Sequence, residues 1–205
     1  HIGGLGVIAR KYGLPIYATE GTIAAIHDMP RLSDIPDHLF HVVRADESFR
    51  LGDFNISPIA ISHDAAEPVA YRIENGGKRA AVATDLGTYD AYITESLRDC
   101  DILMLEANHD VHMLEVGPYP YSLKRRILGE KGHLSNDNCG RLLTSLISDR
   151  LKHVILGHLS KDNNMEELAY ETVRMEVTMS DGEYHWGDFP VTIARRDQRM
   201  ECITV

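Results

Sequence analysis

The sequence predicts an α/β fold, and three observations carry that expectation. Short apolar runs at 80–83, 102–106 and 153–156 are too short for helices and are bounded by turn formers, so they read as buried strands. Helical patterns at 94–100, 137–148 and 165–179 alternate with them, as in a layered fold of sheet and helix. Each strand ends beside a polar residue: His63 after 59–61, Asp85 after 80–83, Glu106 or His109 after 102–106, and His158 after 153–156. Side chains at the carboxyl ends of neighbouring strands converge on one point.

The elements follow in order. Residues 3–12 read as a helix with Leu5, Ile8 and Ala9 on one face and Gly13 as its C-cap. Residues 14–18 form a short strand, and Thr19 or Thr22 caps a helix over 23–27. The two prolines of 29–36 mark a loop. Residues 39–43 read as strand, 46–52 as a polar connection, and 54–61 as a strand with an edge proline at Pro58. The runs 59–61 and 69–73 read as one sheet edge folding back through a loop. Asn75-Gly76-Gly77 is a hairpin turn signal between two apolar runs. Residues 109–115 suggest a helical turn, 117–122 a loop and 123–127 a basic helical turn. Ser135 is an N-cap for the 137–148 helix, with Leu142, Leu143, Leu146 and Ile147 facing inward. Residues 191–194 read as a last strand. No internal repeat, low-complexity tract or linker divides the chain, so 1–205 reads as one domain.

The 205 residues are 43% hydrophobic and 25% charged, the composition of a soluble globular protein with a substantial core. A formal net charge of −10 disfavours loose binding to nucleic acid or anionic membrane, although a local basic patch can still exist. Cys100, Cys139 and Cys202 are widely spaced and contain no C-x-x-C pair. That usage fits a reducing, cytoplasmic compartment and argues against a disulfide framework or a zinc ribbon. No apolar run approaches a membrane span, and no secretory signal is visible. The chain starts at His1 without a methionine, so an upstream segment is expected.

A histidine after a strand is more often structural than a ligand, but several together with a carboxylate favour a site. Imidazole and carboxylate are the usual ligands of borderline divalent cations. The motifs in turn resemble those of the metallo-β-lactamase superfamily, whose fold is a four-layer αβ/βα sandwich. His1-Ile-Gly-Gly-Leu-Gly matches the last histidine of its His-x-His-x-Asp-His motif and the helix that follows, which places the other ligands before residue 1. The Ser62-His63-Asp64 loop, Thr84-Asp85 and Leu156-Gly157-His158-Leu-Ser160 match the next histidine, the bridging aspartate and the last histidine. Leu105-Glu-Ala-Asn-His109-Asp110, Pro118-Tyr-Pro-Tyr-Ser-Leu-Lys124 and Gly132-His133-Leu-Ser-Asn136 resemble the WalJ/YycJ-type bacterial proteins, regarded as nucleases acting on DNA ends.

The resemblance implies an N-terminally incomplete metallo-β-lactamase fold and a metal-dependent phosphodiesterase, a DNA exonuclease using a hydroxide between two divalent ions, zinc or manganese. It places His63 on the first metal, His1 and His158 on the second, and Asp85 between them. His133 becomes a general acid or phosphate clamp; the alternative is that it only caps the following helix. Asp64, Glu106 and His109 stand behind the ligands and orient them, or form a buried polar turn. Lys124, Arg125 and Arg126, beside Tyr119 and Tyr121, suit contacts to phosphates and bases, with an ordinary solvated helix face as the other reading. DNA is then the partner, and oligomeric state stays open. A small-molecule hydrolase of the same fold, for a cyclic phosphodiester or thioester, and a metal-free interaction domain remain as alternatives. Cys139 reads as core, and His27, His38, His41, His153 and His185 as surface or structural residues.

Overall fold

A computed structural model describes residues 2–205; His1, expected as a ligand, lies outside the described residues. Nine strands form two sheets among these residues. A two-stranded parallel sheet pairs β1 (Ile16–Ala18) with β2 (Phe40–Val42). A seven-stranded sheet runs in sequence order through β3 (Phe49–Leu51), β4 (Phe54–Ala60), β5 (Val69–Asn75), β6 (Lys78–Ala83), β7 (Ile102–Glu106), β8 (His153–Gly157) and β9 (Val191–Ile193). β3 to β6 are antiparallel neighbours, and β6 to β9 are parallel.

That change of direction follows from the connections. β5 and β6 are joined by Gly76 and Gly77 alone, both at positive φ (56° and 78°), which is the backbone a tight hairpin needs. The later strands return through helices, so they lie parallel. The helix α3 (Ala91–Leu97) links β6 to β7. Three helices, α4 (Val111–Val116), α5 (Tyr121–Leu128) and α6 (Asn136–Leu146), link β7 to β8, and α7 (Glu166–Thr178) links β8 to β9.

The main core joins α3, α6 and α7 to the seven-stranded sheet. Leu97, Leu103, Leu105, Leu142, Leu143 and Leu156 are all fully buried in it. Burying each such side chain contributes about 2 kcal/mol. Cys139 lies inside this core, as its sequence context suggests. A satellite cluster of Ala9, Ile26, Leu32, Ile35 and Leu39 lies under the two earlier helices, α1 (Leu5–Tyr12) and α2 (Glu20–His27). Tyr17 of β1 stacks on Phe49 of β3, ring centroids 5.3 Å apart, and so ties the small sheet to the large one.

Several expectations shift. The polar connection 46–52 contains β3, whose three residues pair with 54–56 and are too few to show a period. β4 and β5 are interior strands, not a sheet edge. Pro58 is tolerated because it lies beyond the end of β3, where its carbonyl accepts from the Asp46 amide instead. The 94–100 helix begins at Ala91, because the Asp90 carboxylate accepts from the Ile93 amide and starts it early. The second helix starts at Glu20, and the Thr19 hydroxyl donates to the Glu67 carbonyl rather than capping it. Ser135 does cap α6, accepting from the Asn138 amide.

Asp101 pins the amino ends of three parallel strands. Its carboxylate accepts from the Arg79 amide at 2.8 Å and from Arg150, and its carbonyl accepts from the Lys152 and His153 amides. Burial alone raises its pKa, but the Arg79 amide, Arg150 and Lys78 outweigh that and hold it below the usual carboxylate value. A depressed folded pKa stabilises the protein above the unfolded value of about 3.9, and the contribution is lost as pH falls through the folded pKa. The Asp101→Asn variant is therefore expected to lose about 2 kcal/mol at neutral pH. Urea titrations of both proteins check this: the gap narrows as the pH is taken down through the carboxylate range.

Candidate metal centre

The parallel register sets the site. Ala83 of β6 lies beside Leu105 of β7, which lies beside Leu156 of β8. Asp85, Glu106 and His158 therefore leave the sheet at one edge. β4 runs in the same direction as β6, because both are antiparallel to β5, so His63 leaves at that edge too.

The cluster centres on one carboxylate oxygen. Asp85 Oδ1 lies 3.6 Å from His63 Nε2, 3.6 Å from His158 Nε2 and 3.7 Å from His133 Nδ1. These separations are too long for hydrogen bonds. The two Nε2 separations match donors sharing an ion, since two ligands about 2.1 Å from one ion at a tetrahedral angle stand about 3.4 Å apart. The His133 ring lies between the other two, with centroids 5.0 Å from His63 and 5.3 Å from His158.

What holds the imidazoles decides their chemistry. His63 Nδ1 donates to the Gly132 carbonyl at 2.9 Å, leaving the Nε2 lone pair toward Asp85. His158 Nδ1 donates to Glu106 Oε1 at 2.5 Å, and His133 Nδ1 donates to the same oxygen at 2.9 Å. A ring nitrogen fixed by a carbonyl or carboxylate orients the other as a metal ligand. The donor set fits a borderline divalent cation. Asp85, Glu106, His133 and His158 also bring ligand atoms within 4.8 Å of one another. Glu106 is the orienting member of that group, because Oε1 serves two histidines and Oε2 accepts from the Leu86 and Leu134 amides at 2.7 and 3.2 Å. Burial by itself raises the Glu106 pKa, yet the hydrogen bonds from His133 and His158 outweigh it and hold the carboxyl at about 2. The same bond to Glu106 raises the His158 pKa against the opposing effect of burial.

The backbone is bent to make this possible. Asp85 and His158 both have φ of 57°, in the left-handed region that side-chain-bearing residues seldom adopt. The Leu86 amide on Glu106 and the Gly87 amide on the Ser62 carbonyl hold the first bend. The Asn108 side chain, donating to the His158 carbonyl at 2.8 Å, holds the second. Glycine is required at 87, where an added Cβ would meet the Glu130 carbonyl oxygen at 2.3 Å.

The other sequence candidates are placed as follows. Asp64 Oδ1 lies 3.5 Å from His63 Nε2, and Asp64 is gripped by both nitrogens of an Arg126 fork, which holds its carboxyl below the usual range. His133 does not cap α6; Ser135 does. His109 is buried with neither ring nitrogen hydrogen-bonded among the described residues, and burial holds its pKa down to about 4. Its backbone carbonyl accepts from the Asn136 amide. The Lys124 ammonium is spent on the Glu115 and Gly117 carbonyls, both at 2.7 Å. Tyr121 and Arg125 are exposed on α5. Burial pushes the Cys139 thiol up, so it is no nucleophile.

Sequence reading missed the double role of Glu106, the Gly132 carbonyl behind His63 and the Arg126–Asp64 pair. It also missed a buried amide network in which Asn164 donates to the Ala107 and Asn108 carbonyls and pairs with Asn136. Each of these bonds joins positions 20 to 69 apart in the chain, so no local pattern announces it. Replacing Glu106 with glutamine puts an amide donor against donors already there. Glu106→Gln is expected to weaken divalent-metal binding about 10- to 100-fold. Metal content after equilibration with a competing chelator, compared with the unchanged protein, checks it.

Most of the chain is similar to known proteins. The family described as "Beta-lactamase superfamily domain" matches residues 1–159. An exodeoxyribonuclease YycJ of Bacillus anthracis is 40% identical over 173 residues, covering 84% of this chain and 65% of that protein. The chain thus spans a little under two thirds of that relative's length. The crystal structure of the metallo-beta-lactamase fold protein YhfI from Bacillus subtilis shares the fold, with a TM-score of 0.65, 17% identity and coverage of 95% and 70% of the two chains. A diphosphatase from the PhnP family is 25% identical with a TM-score of 0.57, covering 80% and 57%. Among the described residues no helix is long and apolar enough to cross a membrane.

Proposed function

The chain belongs to the beta-lactamase superfamily domain family, and on that premise we propose that it is a metal-dependent phosphodiesterase acting on the ends of DNA. The observation that carries this reading is Asp85 Oδ1 facing His63 Nε2 and His158 Nε2 at 3.6 Å, with both rings fixed from behind. His63, Asp85 and His158 would hold the metal, together with His1. Divalent ions there, zinc or manganese, would activate water and stabilise the charge of a phosphoryl transition state.

The chain's own residues do the rest. Glu106 keeps the His158 and His133 Nδ1 protons in place, so that His158 presents a lone pair. His133, in its imidazolium form with Nδ1–H kept on Glu106, would carry a second proton on Nε2 to give to a leaving oxygen or to grip a phosphate oxygen, ending as the neutral Nδ1–H ring. Asp64 draws Arg126 against the loop that carries His63, which sets a cation beside the reacting phosphate. Arg125 and Tyr121 supply exposed phosphate and base contacts, and Lys124 supports them by bracing the end of α4. On the other flank, a cavity of 740 Å³ beside His158 is lined by Lys161, Arg195 and Arg196 and equally by Glu166, Glu167 and Asp197, with Arg195 ion-paired to Glu166.

A second reading has one observation in its favour, the likeness to the PhnP-family diphosphatase, and makes the substrate a small phosphate ester or anhydride. End-labelled duplex DNA with manganese separates the two. The protein is expected to shorten the label, His158→Ala to lower the rate about 100-fold or more, and Arg125→Ala to weaken DNA cleavage several-fold while sparing a small phosphodiester. Absence of DNA cleavage beside rapid hydrolysis of the small ester would favour the second reading.

A further inference from the structure

The His63 flank of the centre differs from the His158 flank. A cavity of 480 Å³, within the size range of small-ligand sites (about 300–1,000 Å³), opens beside His63, between the loop after β4 and the start of α3. Ile61, Pro68, Tyr89 and Tyr92 give it hydrocarbon walls, and His63 itself forms the wall shared with the metal centre. The polar tip of Tyr92 is already partnered. The Tyr92 hydroxyl donates to Asp46 at 2.5 Å and accepts from the Ala60 amide at 3.1 Å. Tyr89 is half-buried and packs against the main core, and burial raises its phenol pKa. Lys131 stands at the rim, and its ammonium makes no ion pair or hydrogen bond among the described residues.

We propose that this cavity is a nucleobase pocket, which takes the base of the nucleotide whose phosphate lies at the His63–Asp85–His158 centre, with the Lys131 ammonium on that nucleotide's phosphate. The chemistry on the page selects this class. A flat aromatic wall next to a phosphate-binding centre suits a group with a π-face joined to a phosphate through a short sugar, and a free cation at the rim suits its anionic end. Base stacking on aromatic side chains tolerates every base, so the pocket would hold a terminal nucleotide without sequence preference. The proposal rests on the phosphodiesterase reading of the metal centre and adds to it where the base goes.

Calorimetric titration of the metal-loaded full-length chain tests it without relying on turnover. The probes are a deoxyadenosine bisphosphate and the same sugar bisphosphate without its base. The base-bearing ligand is expected to bind about tenfold tighter or more. Tyr89→Leu is expected to bring the two affinities together, whereas Lys131→Gln weakens both by a similar factor and leaves their ratio intact. Equal affinities on the unchanged protein overturn the proposal, and that comparison needs no variant to fold. A ratio that survives Tyr89→Leu also overturns it. Failure of the phosphodiesterase reading looks different: the affinity ratio is retained but neither DNA nor a small ester is hydrolysed.

Discussion

The buried Glu106 carboxylate is the constraint on which the rest of the centre depends. It sits at the end of β7, fully removed from solvent. One of its oxygens accepts from two imidazoles and the other from two backbone amides. A buried anion is costly unless its lone pairs are filled, and here four donors fill them. The same bonds fix the His158 and His133 rings and hold the turn that carries Asp85. One side chain therefore sets the position of three others on three separate loops. Those loops do not touch in sequence, so the sheet has to bring them to it.

The sheet does so through its change of direction between β6 and β7. Antiparallel pairing through β4, β5 and β6 returns β4 and β6 to the same edge, and parallel pairing from β6 to β8 keeps the next two strand ends there. Parallel strands end in register when their amino ends are pinned, and Asp101 pins those of β6, β7 and β8 through the Arg79, Lys152 and His153 amides. The salt-linked end of the sheet and its histidine end are thus opposite halves of one arrangement: one fixes register, the other uses it.

That division explains how much was legible in the sequence. His63, Asp85, Glu106 and His158 could be picked out because each follows a short apolar run, and a strand end is a local signal. Ser135 as the α6 cap and the Gly76-Gly77 hairpin were legible for the same reason, since both are written in adjacent residues. Glu106 could be suspected of orienting a ligand, but not of holding two histidines and two amides, because its partners lie 20 to 52 positions away. β3 escaped because three residues carry no period, and Arg126 was one of three neighbouring cations until Asp64 singled it out. The motif resemblance supplied the order of the ligands. The structure supplied the hydrogen bonds that make their nitrogens face one oxygen.

Those bonds also hold strained backbone in place. Asp85 and His158 sit in left-handed backbone, a conformation that costs of order 1–3 kcal/mol at each residue. The Leu86 amide on Glu106, the Gly87 amide on Ser62 and the Asn108 side chain on the His158 carbonyl offset that cost, and all three come from the folded chain itself. Protein hydrogen bonds thus hold the donors and fix their rings. The strain is then best understood as what aims the Asp85 and His158 side chains at a common point, which an extended or helical backbone leaving the same strands would send apart.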